Sequence, residues 1–89
     1  MSLVTNVILC CGLRDKHLVL KLPIYFNDIG EHFGGPKNCE AGVFGCAANY
    51  LNYEELIDAI HEIDWEQPTE LQVLVKGQED EQFSFLTGI

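Results

Sequence analysis

The chain has little positive charge. Five of its 89 residues are Lys or Arg and fourteen are Asp or Glu, which gives a formal net charge of -9 at pH 7. Binding to nucleic acid or to an anionic membrane surface by phosphate neutralisation needs clustered cations. The composition therefore argues against both of these partners and favours a basic protein as the partner.

Long apolar runs and processing signals are also lacking. No window reaches the run of about eighteen apolar residues that marks a membrane span, and no basic N-terminal region precedes an apolar stretch and a cleavage site. We therefore expect a cytoplasmic protein. Because 89 residues are too few for two halves that each bury a core, residues 1–89 are expected to form one domain.

The cysteines lack the spacing of a structural zinc site, in which two ligands usually come from one tight loop. Cys39 and Cys46 are the nearest candidates, with six residues between them. We expect no metal and no cofactor. Nothing signals secretion, so a disulfide scaffold is not expected either. Cys10 and Cys11 are adjacent in an apparent strand and should point to opposite faces of a sheet.

Four stretches have strand-like patterns. Residues 4–11 are short and rich in β-branched and apolar side chains, which favours a mostly buried strand. Residues 41–51 are small and apolar on both faces and are also predicted to be a strand, with a helix over residues 46–50 as the alternative. Residues 70–76 and 82–87 alternate on either side of a polar connection, which predicts a C-terminal hairpin.

The stretch over residues 18–33 fits two patterns. Its apolar residues recur at helical spacing, but Leu18, Leu20 and Leu22 also alternate as in a strand. Pro23 is unfavourable inside a helix and is accepted in the first turn. We favour a helix over residues 23–33, and the alternative is an edge strand over residues 18–26.

The clearest pattern predicts a helix over residues 52–64. Asn52 is a favourable N-cap, and Glu55 three residues later completes a pair similar to a capping box. An apolar stripe at helical spacing follows, formed by Tyr53, Leu56, Ile57, Ile60 and Ile63. We expect this stripe to pack on the sheet.

Together these elements predict a single small α+β domain. We expect a mixed or antiparallel sheet of about four strands with two helices on one face, in the approximate order βαβαββ, ending in a β-hairpin. With 47% hydrophobic residues, the chain is also expected to cover a sheet face or an edge strand by forming a homo-oligomer.

The segment around Pro36 is rich in glycine. A phosphate-binding P-loop needs Lys directly after its second glycine, but Pro36 stands there, which excludes nucleotide hydrolysis at this loop. Gly34 and Gly35 with Lys37 and Asn38 remain a candidate site for a small anion or a partner's carboxylate. An ordinary turn between two elements is the alternative.

The same loop holds the candidate catalytic pair. A nucleophilic thiolate needs a nearby base, and His32 is the histidine that shares the loop with Cys39. With four Cys and three His in the chain, some pair falls close together by chance. We therefore lean towards a protein that is not an enzyme. A small-molecule or anion-binding domain, or a cysteine-dependent enzyme, centred on residues 31–40 is the alternative function.

The negative charge lies in the second half of the chain. Residues 1–45 carry four basic and four acidic residues, whereas residues 46–89 carry ten acids and one base. On the predicted helix, Glu54, Asp58 and Glu62 recur at every fourth residue, where like charges repel one another. Solubility is the common reason for such a face, and a docking face for a basic partner is the functional interpretation.

Two further features belong to this acidic surface. Residues 79–81, at the predicted hairpin tip, are all acidic. Trp65, just after the predicted helix, is either a residue at the edge of the core or an aromatic anchor for the partner. The sequence thus predicts a small interaction or regulatory domain whose acidic helix face and hairpin tip contact a basic partner.

Overall fold

The computed structural model describes residues 4–30 and 41–88. Five strands form one sheet, and a 3-10 helix and an α-helix lie on one side of it. The elements in chain order are β1 Val4–Cys11, the 3-10 helix Leu13–Lys21, β2 Asn27–Asp28, β3 Gly42–Asn49, α1 Tyr53–Glu62, a 3-10 turn Pro68–Glu70, β4 Gln72–Gly77 and β5 Ser84–Gly88.

The predicted α+β class is confirmed. The sheet has five strands in the order β2-β3-β1-β4-β5, one more than expected, and every strand pair is antiparallel in the described residues. Strand β1 has the predicted bounds, and β4 and β5 form the predicted hairpin. The order of elements differs from βαβαββ because β2 is an additional short edge strand between the 3-10 helix and β3.

The helix predicted over residues 23–33 is wrong for residues 23–30, the part of it that the structure describes. The helical segment in this part of the chain is the 3-10 helix Leu13–Lys21, and Leu22 is already extended, with φ -76° and ψ 155°. Proline disfavours helical backbone at the residue before it, so Pro23 ends the helix at its C-terminal side rather than opening a new one. The alternative strand over residues 18–26 is also wrong, because the edge strand is β2, Asn27–Asp28.

The predicted helix over residues 52–64 forms as α1. The Asn52 side chain accepts a hydrogen bond from the backbone N–H of Glu55 at 3.1 Å, as an N-cap should. Leu56 and Ile60 from the apolar stripe are fully buried, and each contributes roughly 1.5–3 kcal/mol through burial. This helix and the 3-10 helix cover one face of the sheet.

The two faces of the sheet differ. The packed face carries side chains such as Val7, Leu9 and Cys11, which are buried in the core with residues of both helices. The open face is the opposite one, and its side chains are half-buried or exposed. Its members, by alternation and register, include Asn6, Ile8, Cys10, Val43, Gly45, Gln72, Leu74, Lys76 and Phe85.

Asp15 fastens the 3-10 helix to the segment after α1. Its side chain is 0% exposed, and its two oxygens accept hydrogen bonds from the backbone N–H groups of Glu66 and Gln67, each at 2.9 Å. Hydrogen bonds to a charged group contribute about 1.5–3 kcal/mol each. Gly12 lies against the Gln67 side chain so closely that a Cβ would collide with it, so this position needs glycine.

Candidate functional site

The predicted acidic face lines an open groove beside α1. Glu54, Asp58 and Glu62 are exposed and form one wall. We call this space, of about 520 Å³, the acidic groove; its lining residues are Lys21, Pro23, Asn52, Glu54, Glu55, Asp58, Ala59 and Glu62. Four carboxylates against one ammonium group make it strongly negative, and a cleft lined by one sign of charge raises the local concentration of cations.

A smaller pocket of about 200 Å³ adjoins the acidic groove at the N-terminal end of α1. We call it the end pocket. It shares Pro23, Asn52 and Glu55 with the groove. Its other lining residues, which include apolar ones, are Ile24, Ala48, Asn49, Tyr50, Leu51 and Leu56. The two concavities therefore offer apolar surface next to a row of carboxylates.

Tyr50 forms part of the rim of the end pocket. Its φ of 52° is in the left-handed region, which non-glycine residues seldom adopt and which costs roughly 1–3 kcal/mol. The side chain is 66% exposed. This conformation connects β3 to α1 and places an exposed aromatic residue at the end pocket, whose lining combines polar and apolar side chains.

The hairpin tip lies at the same end of the sheet as the end pocket. Thr5 of β1 pairs with Ala48 of β3 on one side and with Gly77 of β4 on the other, so the tip begins level with the pocket wall. One tip carboxylate has a local role, because Asp80 Oδ2 accepts a hydrogen bond from the Gly77 N–H at 2.9 Å. Glu79 and Glu81 are exposed beside it.

Trp65 lies in the core rather than on the acidic surface. It is 5% exposed, and its indole N–H donates to the carbonyl oxygen of Ile60 at 2.8 Å. A side chain that is buried and hydrogen-bonded in this way closes the edge of the helix–sheet layer. We therefore leave Trp65 out of the contact surface for a partner.

The loop candidates lie outside the described residues. This applies to the proposed anion site, Gly34, Gly35, Lys37 and Asn38, and to the proposed catalytic pair, His32 and Cys39. Within residues 4–30 and 41–88, no group of three or more His, Cys, Asp or Glu side chains is placed to hold a metal ion.

The structure describes Cys10, Cys11 and Cys46, and no disulfide joins any two of these three. Burial, reinforced by the Asp15 carboxylate, raises the pKa of the Cys11 thiol to about 12. Burial also raises the pKa of Cys46. A thiol with a raised pKa is protonated at neutral pH and is a poor nucleophile, and both Cys11 and Cys46 pack in or against the core.

Comparison of the chain with protein-family models, curated proteins and solved structures found no match. In the part of the chain that the structure describes, the helices are too short or too polar to span a bilayer.

Sequence reasoning identified the acidic wall of the groove but missed the opposite wall. That wall is formed by Lys21, the last residue of the 3-10 helix, and by Pro23 just after it, while Ile24 and Tyr50 line the adjoining end pocket. These residues come together only because separate segments pack against each other in the folded chain. One weak local feature of the sequence indicates this arrangement. The Pro23-Ile24-Tyr25 run places apolar residues directly after the helical segment.

Proposed function

We propose that this protein is a small, non-enzymatic interaction domain that binds a basic segment of a partner protein in the acidic groove, with an apolar side chain of that segment in the end pocket. The observation that carries the proposal is the continuity of the two concavities, which share Pro23, Asn52 and Glu55. A face that served solubility alone would need charge but no adjoining pocket.

The spacing of the carboxylates favours an extended partner segment. Residues four apart on a helix are separated by about 6 Å along its axis. Glu54, Asp58 and Glu62 therefore form a row with that repeat. Alternate residues of an extended peptide are about 6.6 Å apart, so Lys or Arg at every second position would meet successive carboxylates. The acidic hairpin tip, at the same end of the sheet as the end pocket, would attract further cations.

The energetics imply modest affinity with strong salt dependence. Exposed ion pairs contribute about 0.2–1 kcal/mol each, and burial of one aliphatic or aromatic side chain adds roughly 1.5–3 kcal/mol. Three ion pairs alone would bind weakly. The apolar anchor and the three ion pairs together therefore contribute comparable parts of the affinity, and the carboxylates also set the orientation and the rate of association.

The test uses a fluorescent synthetic peptide with Lys at every second position and one terminal Leu. Binding is measured by anisotropy at low and at physiological ionic strength. The triple variant Glu54→Gln, Asp58→Asn, Glu62→Gln should weaken binding by about tenfold at physiological ionic strength, because the three lost pairs together contribute about 0.6–3 kcal/mol. A peptide with Ser in place of Leu should bind more weakly to the unaltered protein.

The matched control removes the same charge elsewhere. Asp64, Glu66 and Glu70 are exposed and lie after α1, and neither the groove nor the end pocket includes them. The variant Asp64→Asn, Glu66→Gln, Glu70→Gln should bind the peptide within about twofold of the unaltered protein at physiological salt, where distant charges are screened. Equal losses in the two triple variants would mean that net charge alone attracts the peptide, and the proposal would be wrong.

A further inference from the structure

The acidic groove has one cation in its described lining, Lys21, which lies on the wall opposite α1. The Lys21 side chain is exposed, and among the described residues no carboxylate forms an ion pair with it. A bound segment with a cation at every position would place like charge beside this ammonium group, which is unfavourable at close range. The wall that holds Lys21 therefore suits a different side chain of the partner from the carboxylate wall of α1.

The two walls run in opposite directions along the groove. On the Lys21 side, Lys21 lines the acidic groove alone, Pro23 lines both concavities, and Ile24 lines the end pocket alone. On the α1 side, Asn52 at the start of the helix lines both concavities, and Glu62 at its end lines the groove alone. A segment that extends from the end pocket into the groove therefore passes Pro23 first and Lys21 next.

The Lys21 wall has the repeat of an extended chain. Leu22 has extended backbone, with φ -76° and ψ 155°, and its side chain is buried. Alternate residues of an extended chain are about 6.6 Å apart and point to the same side, and Lys21 and Pro23 are both exposed. An extended partner segment has the same repeat, so two of its alternate side chains can face Pro23 and Lys21 in turn.

The other side chains of such a segment face α1. The proposed function places Lys or Arg at every second position, opposite the row of Glu54, Asp58 and Glu62. The intervening side chains of an extended segment point the opposite way, towards the wall of Pro23 and Lys21. With the apolar anchor in the end pocket, the next side chain on this side is two residues along the segment and lies opposite Lys21.

We propose that Lys21 selects a partner segment of mixed charge, with Asp or Glu two residues from the apolar anchor and Lys or Arg at the positions that alternate with them. This inference rests on the proposed function and narrows its class of partner, because a uniformly basic tail is disfavoured. The carboxylate pairs with Lys21, and the cations on either side of it pair with α1. Complementary charges on both walls favour one register of the segment in the groove.

The test compares two fluorescent peptides by anisotropy at physiological ionic strength. Each has a terminal Leu followed by Lys at every second position, and the residue two from Leu is Glu in one peptide and Gln in the other. The Glu peptide should bind about two- to fivefold more tightly, which is the effect of one exposed ion pair. Attraction by net charge alone predicts the reverse order, because the protein carries -9 and the Glu peptide is less positive.

Lys21→Gln should abolish the preference for the Glu peptide. Lys76→Gln is the matched control, because it removes the same charge on the open face of the sheet, and it should keep the preference. Lys21 also lies in the last turn of the 3-10 helix, where a cation stabilises the helix end. Loss of that role would lower stability without changing the preference between two peptides, and far-UV circular dichroism confirms that each variant is folded.

The outcomes separate this inference from the proposed function. The inference alone is wrong if the triple variant of α1 weakens binding of both peptides, but the Glu peptide binds no more tightly than the Gln peptide or keeps its preference in Lys21→Gln. If neither peptide binds the unaltered protein, or if the triple variant leaves binding unchanged, the proposed function is wrong and this inference fails with it.

Discussion

Side chains on the two faces of β1 are similarly apolar but are covered to different degrees. Val7 and Leu9 are fully buried under α1 and the 3-10 helix, whereas Ile8 and Cys10, which alternate with them, are half-buried. A strand that is apolar on both faces is typical of a sheet covered on both sides. The described helices cover one side of the sheet, and among the described residues no element covers the other side.

The same contrast extends to charge. The outer surface of the helical layer carries the carboxylates of the acidic groove, and the open face carries Lys76 and no acid among the described strand residues. Charge on one side keeps copies of the chain apart and attracts cations. The open face carries Lys76 beside apolar and amide side chains. The helical side is thus the one suited to the basic segment proposed above.

The largest expected effect is the difference in the free energy of unfolding between Leu9→Ala and Ile8→Ala. Leu9→Ala leaves a cavity in the packed core and should lower the free energy of unfolding by about 2–5 kcal/mol. Ile8→Ala, measured by urea unfolding in dilute protein, should cost about 1 kcal/mol or less because its side chain is half exposed. If Leu9→Ala and Ile8→Ala lowered the free energy of unfolding equally in dilute protein, the open face would already be covered within one chain.

The next effect compares the adjacent thiols of Cys10 and Cys11. The pKa of Cys11 is raised from 9.0 to about 12, mainly by burial and secondly by the Asp15 carboxylate. The folded state therefore favours the neutral thiol. This preference contributes to the free energy of unfolding fully below pH 9, and the contribution is lost as pH rises towards 12. Between about pH 8 and pH 10.5, the unaltered protein should lose about 2 kcal/mol more stability than Cys11→Ala does.

Chemical unfolding at a series of pH values measures this difference, and Cys10→Ala is the control. Cys10→Ala should keep most of the pH dependence of the unaltered protein, because Cys10 is a smaller cause of the raised pKa of Cys11 than burial and Asp15 are. If Cys11→Ala kept the same slope as well, the thiol of Cys11 would not be the group responsible.

Local features of the sequence were sufficient to predict some elements. The cap at Asn52 and the stripe that contains Leu56 and Ile60 are contained within α1, so the helix follows from neighbouring residues. The hairpin of β4 and β5 follows in the same way from alternation around a polar connection. Both elements could be predicted because their determinants are close in sequence.

The 3-10 helix could not be predicted, because what holds it is distant in sequence. Asp15 reads as part of a polar connection, yet its carboxylate is buried by bonds to backbone groups 51 and 52 residues away. For the same reason, only the α1 wall of the acidic groove could be predicted from the sequence. Lys21 and Pro23 reach that groove through tertiary packing.

The smallest expected effect concerns charge on the helical side. Asp58 lies one turn from both Glu54 and Glu62, and each repulsion at this spacing costs about 0.2–0.5 kcal/mol. Asp58→Asn should therefore raise the free energy of unfolding by about 0.4–1 kcal/mol at low ionic strength, and the gain should disappear in about 1 M salt, where screening is nearly complete. Asp64→Asn, beyond the end of α1, should leave stability unchanged in both conditions. A gain that persisted in high salt would point to a cause other than charge. A gain in stability together with weaker binding of the basic peptide would mean that the acidic row is maintained for binding at a cost to the fold.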